Sequence, residues 1–249
     1  MGLAVGFGTA QADPLPGAIH CAGSYGGHLQ GIAADDAALY WSFTVSLVKT
    51  GLDGMLLRHI DVPSHHGDLC VHEGKVFVAV NLGKFNEEPG QADSWIYVYN
   101  AADLSFVEKH AVPEVVHGAG GMDKAAGHYY VVGGLPSGHT QNYVYEYDAA
   151  FGFVRRHLLE SGHTHLGIQT AFHTGDGWWF GCYGVPAVSL QTDETFGQVT
   201  RRTVDLSLGI CRHPDGSLLR GVGEHVPGKK LWTGRMERVE LPGPAAAAE

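Results

Sequence analysis

Residues 64–80 read SHHGDLCVHEGKVFVAV. Leu69 and Val71 alternate with polar or small neighbours, Glu73-Gly74 makes a turn signal, and Val76, Val78 and Val80 resume the alternation beyond it. Two period-2 runs joined by a short glycine turn read as a β-hairpin. The tandem His65-His66 stands just ahead of the first run. What the pair does depends on whether this hairpin is unique or repeated.

It is repeated. Bulky apolar pairs follow a turn at Leu39-Tyr40, Val76-Phe77, Tyr129-Tyr130, Trp178-Trp179 and Leu218-Leu219. The turns read ADDAA, HEGK, KAAGH, TGDG and PDGS. The pairs recur every roughly 40–50 residues, the length of a four-stranded propeller blade. Helical periodicity is nearly absent, and Gly, Pro, Asn and Asp clusters punctuate short alternating runs. Each unit divides into four strands, so the chain is expected to be all-β, a five-bladed β-propeller of four-stranded blades. A β-sandwich is the competing arrangement. The last blade would take its fourth strand from ERVELPG, residues 237–243. Domain bounds follow: 1–17 a signal-peptide remnant or disordered tail, 18–242 the propeller, 243–249 a disordered tail.

The chain has 249 residues, 36 of them Gly and 16 His, with 17% charged residues and a formal charge of −10. That balance argues against a nucleic-acid partner. No apolar run reaches the ~18 residues of a membrane span. The first residues lead through small and apolar types to Ala10-Gln11-Ala12, which resembles an A-x-A cleavage site. A secreted or periplasmic location and a monomer are expected. Cys21, Cys70, Cys182 and Cys211 form no C-x-x-C pair. Four thiols allow three disulfide connectivities, and Cys70 and Cys211 also suit buried apolar positions.

In a propeller, the loops between second and third strands share a face with the start of each innermost strand, and insertions here fall in those loops: NLGKFNEEPGQADS and GLPSGHTQN. Histidine recurs at the same level, with His28 in blade one, His65 in two, His117 in three, and His163 and His165 in four. Rotational pseudosymmetry would gather His28, His65, His117 and His165 into a transition-metal site, zinc foremost, with copper, iron and nickel also suited to imidazole. Imidazoles bonded to neighbouring carbonyls are the plain alternative. His66 is the candidate general base and Tyr183 the candidate acid. Asp68 could orient an imidazole. Lys84, His139, Arg220 and His225 are candidate substrate-binding residues, Lys84 and Arg220 as carboxylate holders. Glu87, Glu88 and Glu224 fall in or near the same loops. Trp41, Trp95, Trp178 and Trp232 lie in strands and read as inter-blade packing.

At HLQGIAADDAALYWSF, residues 28–43, the chain resembles plant-type glutaminyl cyclases and their bacterial relatives, which are five-bladed propellers. Leu29-Gln30-Gly31-Ile32 stands where that family opens its first blade with Thr-Gln-Gly-Leu. The family's second blade carries Gly-Glu-Gly-Leu, and here His66-Gly67-Asp68-Leu69 puts Gly67 in the place of the glutamate. The resemblance therefore implies the fold and not the cyclase reaction. The function expected is an exported, metal-dependent hydrolase or lyase, acting on a sugar or small acidic metabolite at the histidine-lined axis. The alternative is a non-catalytic propeller that binds carbohydrate or another small ligand.

Overall fold

The computed structural model describes residues 17–243. In chain order the strands are β1 (Ala18–His20), β2 (Tyr25–Gly26), β3 (Leu29–Ala34), β4 (Leu39–Phe43), β5 (Ser46–Thr50), β6 (Leu56–Asp61), β7 (His66–His72), β8 (Lys75–Asn81), β9 (Ser94–Asn100) and β10 (Phe106–Ala111). They continue as β11 (Ala119–Ala125), β12 (His128–Gly133), β13 (Asn142–Tyr147), β14 (Phe153–Leu159), β15 (His165–His173), β16 (Trp178–Tyr183), β17 (Val188–Thr192), β18 (Val199–Arg202), β19 (Ile210–Arg212), β20 (Leu218–His225) and β21 (Leu231–Arg238). No helix among the described residues is long and apolar enough to cross a membrane.

The strands form five antiparallel sheets, the blades of a five-bladed β-propeller. Blades I to IV are contiguous: β3–β6, β7–β10, β11–β14 and β15–β18. Blade V differs from the expectation. Its outer strand is not residues 237–243 but β1, which pairs with β21 through Ala18↔Glu237 and His20↔Arg235. β21 runs on to Arg238 and uses up the start of the stretch expected as a separate strand. The short β2 also pairs with β21.

Alternation assigns side chains to the gaps between blades. On β8, Val76, Val78 and Val80 face blade I, while Phe77 and Ala79 face blade III. Trp41 lies buried between blades V and I and Trp178 between III and IV. Trp95 and Trp232 pack against such cores from partly buried positions. The core between blades IV and V is the smallest, built on Trp179, Leu206 and Ile210.

The axis is crowded. A methyl group on Gly31 would lie 2.5 Å from the Asp68 Cα, and one on Gly67 would overlap the Gly120 carbonyl. Only glycine lets inner strands of neighbouring blades approach this closely. Four of the five inner hairpins also shift register here, at Leu29/Gly31, His66/Leu69, Ala119/Gly121 and His165/Thr170. A bulge re-aims the side chains beside it. The glycine level thus separates two mouths of the axis. The upper one is where the inner strands begin, and the lower one is where their hairpins turn.

Candidate functional site

At the upper mouth, four blades contribute. Gln30 sits at the bulge of β3 and points its amide between two imidazoles. Its Nε2 donates to His28 Nε2 at 2.6 Å and to His65 Nε2 at 3.0 Å. The Tyr183 hydroxyl, at the end of β16, lies 3.4 Å from His28 Nε2. Trp232 of β21 completes the wall, its ring centroid 5.7 Å from His28 and 5.2 Å from His225. Backbone bonds hold the two imidazole carriers: His65 exchanges N–H and C=O with Asn81 of β8, and the His28 carbonyl accepts the Thr44 amide.

Burial lowers the pKa of His28 and, aided by repulsion from His28, that of His65. Two neutral imidazoles at neutral pH follow. Accepting at Nε2 means that each carries its proton on Nδ1. Burial, with Asp205 adding, pushes the Tyr183 phenol up to about 12. Beside Tyr183 opens a shallow groove of about 600 Å³ whose lining includes His165, Val185, Pro186, Arg201 and Thr203. Among the described residues, no carboxylate hydrogen-bonds to His28, His65 or Tyr183.

The other expected residues go elsewhere. Among the described residues, no three of His28, His65, His117 and His165 bring ligand atoms within 4.8 Å of one another, so the four-histidine metal centre does not assemble. The long loop of blade II folds over the start of β11, and the buried His117 donates from Nδ1 to the Glu87 carbonyl at 2.8 Å. Its ring packs against His139, which in turn lies 3.5 Å from Glu88. His165 is exposed and pairs across the ladder with Tyr183. Lys84 is exposed on the blade II loop. Arg220 lies near the lower end of β20, paired to Glu237 at 2.9 Å, and is not at the upper mouth.

His66 is not placed to serve as a base. It is fully buried, donates from Nδ1 to the Pro63 carbonyl, and accepts at Nε2 from the Tyr99 hydroxyl, both at 2.8 Å. Burial lowers its pKa to about 4, with His65 adding and the Pro63 bond opposing. Strand alternation separates the tandem pair, with His65 at the axis and His66 among the tyrosines of β9.

The lower mouth holds a group that the sequence reading left apart. Asp68, Cys70 and His72 alternate along β7, and Asp123 meets them from β11. Cys70, His72 and Asp123 each offer a ligand atom within 4.8 Å of the others, a set that could hold a metal. His72 Nε2 lies 3.2 Å from Asp123 Oδ1, and the other Asp123 oxygen accepts the His173 amide at 2.8 Å. The cavity there measures about 350 Å³, and all five inner strands line it, through Ala33, Cys70, Asp123, His173 and Cys211 among others. Burial holds the Cys70 thiol well above its ordinary range, and the carboxylates of Asp123 and Asp68 add to this. Burial likewise raises Asp68, whose Oδ2 accepts the Ala171 amide at 3.2 Å and whose Oδ1 has no partner. All four cysteines are free thiols. The D-x-C-x-H alternation of residues 68–72 was visible in the sequence, whereas Asp123 was hidden in another blade.

No family model matches the chain, and no curated protein matches it. Solved structures do. A β-xylosidase superposes with a TM-score of 0.60 at 12% identity, over 88% of this chain and 94% of that one. The WD40 repeats of RRP9 give 0.51 at 10% identity, over 89% and 97%. A chain of a nidogen/laminin complex gives 0.50 at 11% identity, over 77% and 71%. Identities this low bear on architecture alone, and what this chain is similar to is the β-propeller.

Proposed function

We propose that the chain is an enzyme acting on a sugar or small acidic metabolite at the upper mouth, and a lyase in preference to a hydrolase. One observation carries the reading: two neutral imidazoles aim Nε2 at a single point, with the Tyr183 phenol beside them. A substrate group entering there takes the place of the Gln30 amide. His28 or His65 then receives a proton at Nε2, and the Tyr183 hydroxyl supplies one to the leaving oxygen. Glycoside hydrolysis in its usual form uses a pair of carboxylates across the bond. None bonds to this cluster, which favours proton abstraction followed by elimination. Trp232 offers a face for a sugar ring and the groove beside Tyr183 offers length. The β-xylosidase likeness supports carbohydrate chemistry only as an analogy of architecture. Export rests on Ala10-Gln11-Ala12, which lies outside the described residues.

A panel of uronic-acid-containing and neutral oligosaccharides, read by the absorbance of the unsaturated product, tests the reading. Tyr183→Phe and His28→Gln should each lower kcat by about 10²–10⁴ with little change in binding. The aromatic wall of His28, Trp232 and His225 favours one second reading, a non-catalytic carbohydrate-binding propeller. That reading gains if sugars bind, Trp232→Ala abolishes binding, and no substrate turns over.

A further inference from the structure

We propose that Cys70, His72 and Asp123 form a binding site for a divalent metal of the zinc class at the lower mouth of the axis. The three side chains come from two blades, and their ligand atoms already lie within 4.8 Å of one another. Thiolate, imidazole and carboxylate together suit zinc and its neighbours. An all-oxygen site would suit magnesium or calcium instead. The alternation of β7 puts Cys70 and His72 on one side of the strand, as two ligands of one ion require. Asp123 is held from behind by the His173 amide, so its orientation is set before a metal arrives.

The cavity wall carries charges of both signs, with Lys124 and Arg212 among its lining residues. Against these cations, Asp123 and the Cys70 thiol come within ligand distance of each other, while Asp68 stands one alternate position up β7 with its Oδ1 against Gly31 of blade I. Binding would release the Cys70 proton to solvent as the metal–sulfur bond forms. Three protein ligands leave a fourth position, which opens into the cavity of about 350 Å³. The ion would clamp blades II and III together, and through the His173 amide would reach blade IV. None of this depends on the upper mouth.

The test uses the full chain, purified without a histidine tag, stripped with chelator under reductant and titrated with Co²⁺. Expected are one ion per chain, a sulfur-to-cobalt charge-transfer band, and displacement by Zn²⁺. Cys70→Ser should abolish the band. His72→Gln should weaken binding at least ~10–100-fold, since loss of a mere supporting contact already costs that much. His72 is partly exposed, so this variant tests the site even if Cys70→Ser fails to fold. His28→Gln should leave the band intact. Absence of the band, its persistence in Cys70→Ser, or wild-type affinity in His72→Gln overturns the proposal.

Discussion

Replacing Glu146 with Gln probes how blade III spends its charged residues. Glu146 lies on β13 with its side chain 4% exposed. Its Oε2 accepts from Arg155 Nε at 2.7 Å and from His157 Nε2 at 2.8 Å. His128 Nδ1 donates to Oε1 at 2.6 Å. Burial alone would raise the carboxyl pKa, but the bonds from Arg155, His157 and His128 outweigh it and bring the value from 4.5 down to about 2. A shift of that size corresponds to about 3 kcal/mol of folding stability at neutral pH. The folded value is the lower one, so the contribution is complete above pH 4.5 and vanishes as pH falls through about 2. Gln keeps the volume but not the charge. Urea unfolding of wild type and Glu146→Gln across this range should show a gap of about 3 kcal/mol at pH 7 that closes towards acid. A gap below about 0.5 kcal/mol, or one that stays constant with pH, would refute the reasoning.

Gly31→Ala places a methyl group against Asp68 on the axis and should cost about 1–3 kcal/mol, read as a lower Tm. An unchanged Tm would mean that the inner strands have room to part. His66→Leu leaves the Tyr99 hydroxyl and the Pro63 carbonyl without their partner, and should cost about 1–3 kcal/mol while kcat holds. Wild-type His66 stays neutral in the folded chain down to about pH 4, whereas the unfolded chain binds a proton near 6.5. Stability therefore drops with acid between those values. The Leu variant should lose that part of the slope, and a loss of turnover at unchanged stability would count against a packing role.

The repeat in the sequence made most of the architecture legible. Paired apolar residues after each turn marked the second strand of every blade, because alternation and turn chemistry are local properties. The outer strand of blade V was not legible. Nothing local in Ala18-Ile19-His20 says that it pairs with residues beyond 230. At the site, register counting brought His28 and His65 together correctly but also enlisted His117 and His165. The bulges at the glycine level differ from blade to blade, and a slip of one residue turns a side chain to the other face. His66 shows this most plainly, one position from an axial imidazole yet sealed between blades. Asp123 was invisible because its partners sit a whole blade away on β7, with His72 51 residues earlier in the chain.

Blades I to IV are each built from an unbroken run of sequence, so each can assemble as soon as its own four strands exist. Blade V cannot, because β1 must be held in reserve until β21 has been made. Until then Ile19 has no Met236 beside it, and the apolar blade faces that carry Trp41 and Trp179 lack part of the blade V surface they pack on. The molecule thus carries a built-in completeness check: a polypeptide interrupted before β21 leaves β1 without its partner strand and blade V unfinished, exposed to aggregation and to proteases, however well its earlier blades have formed.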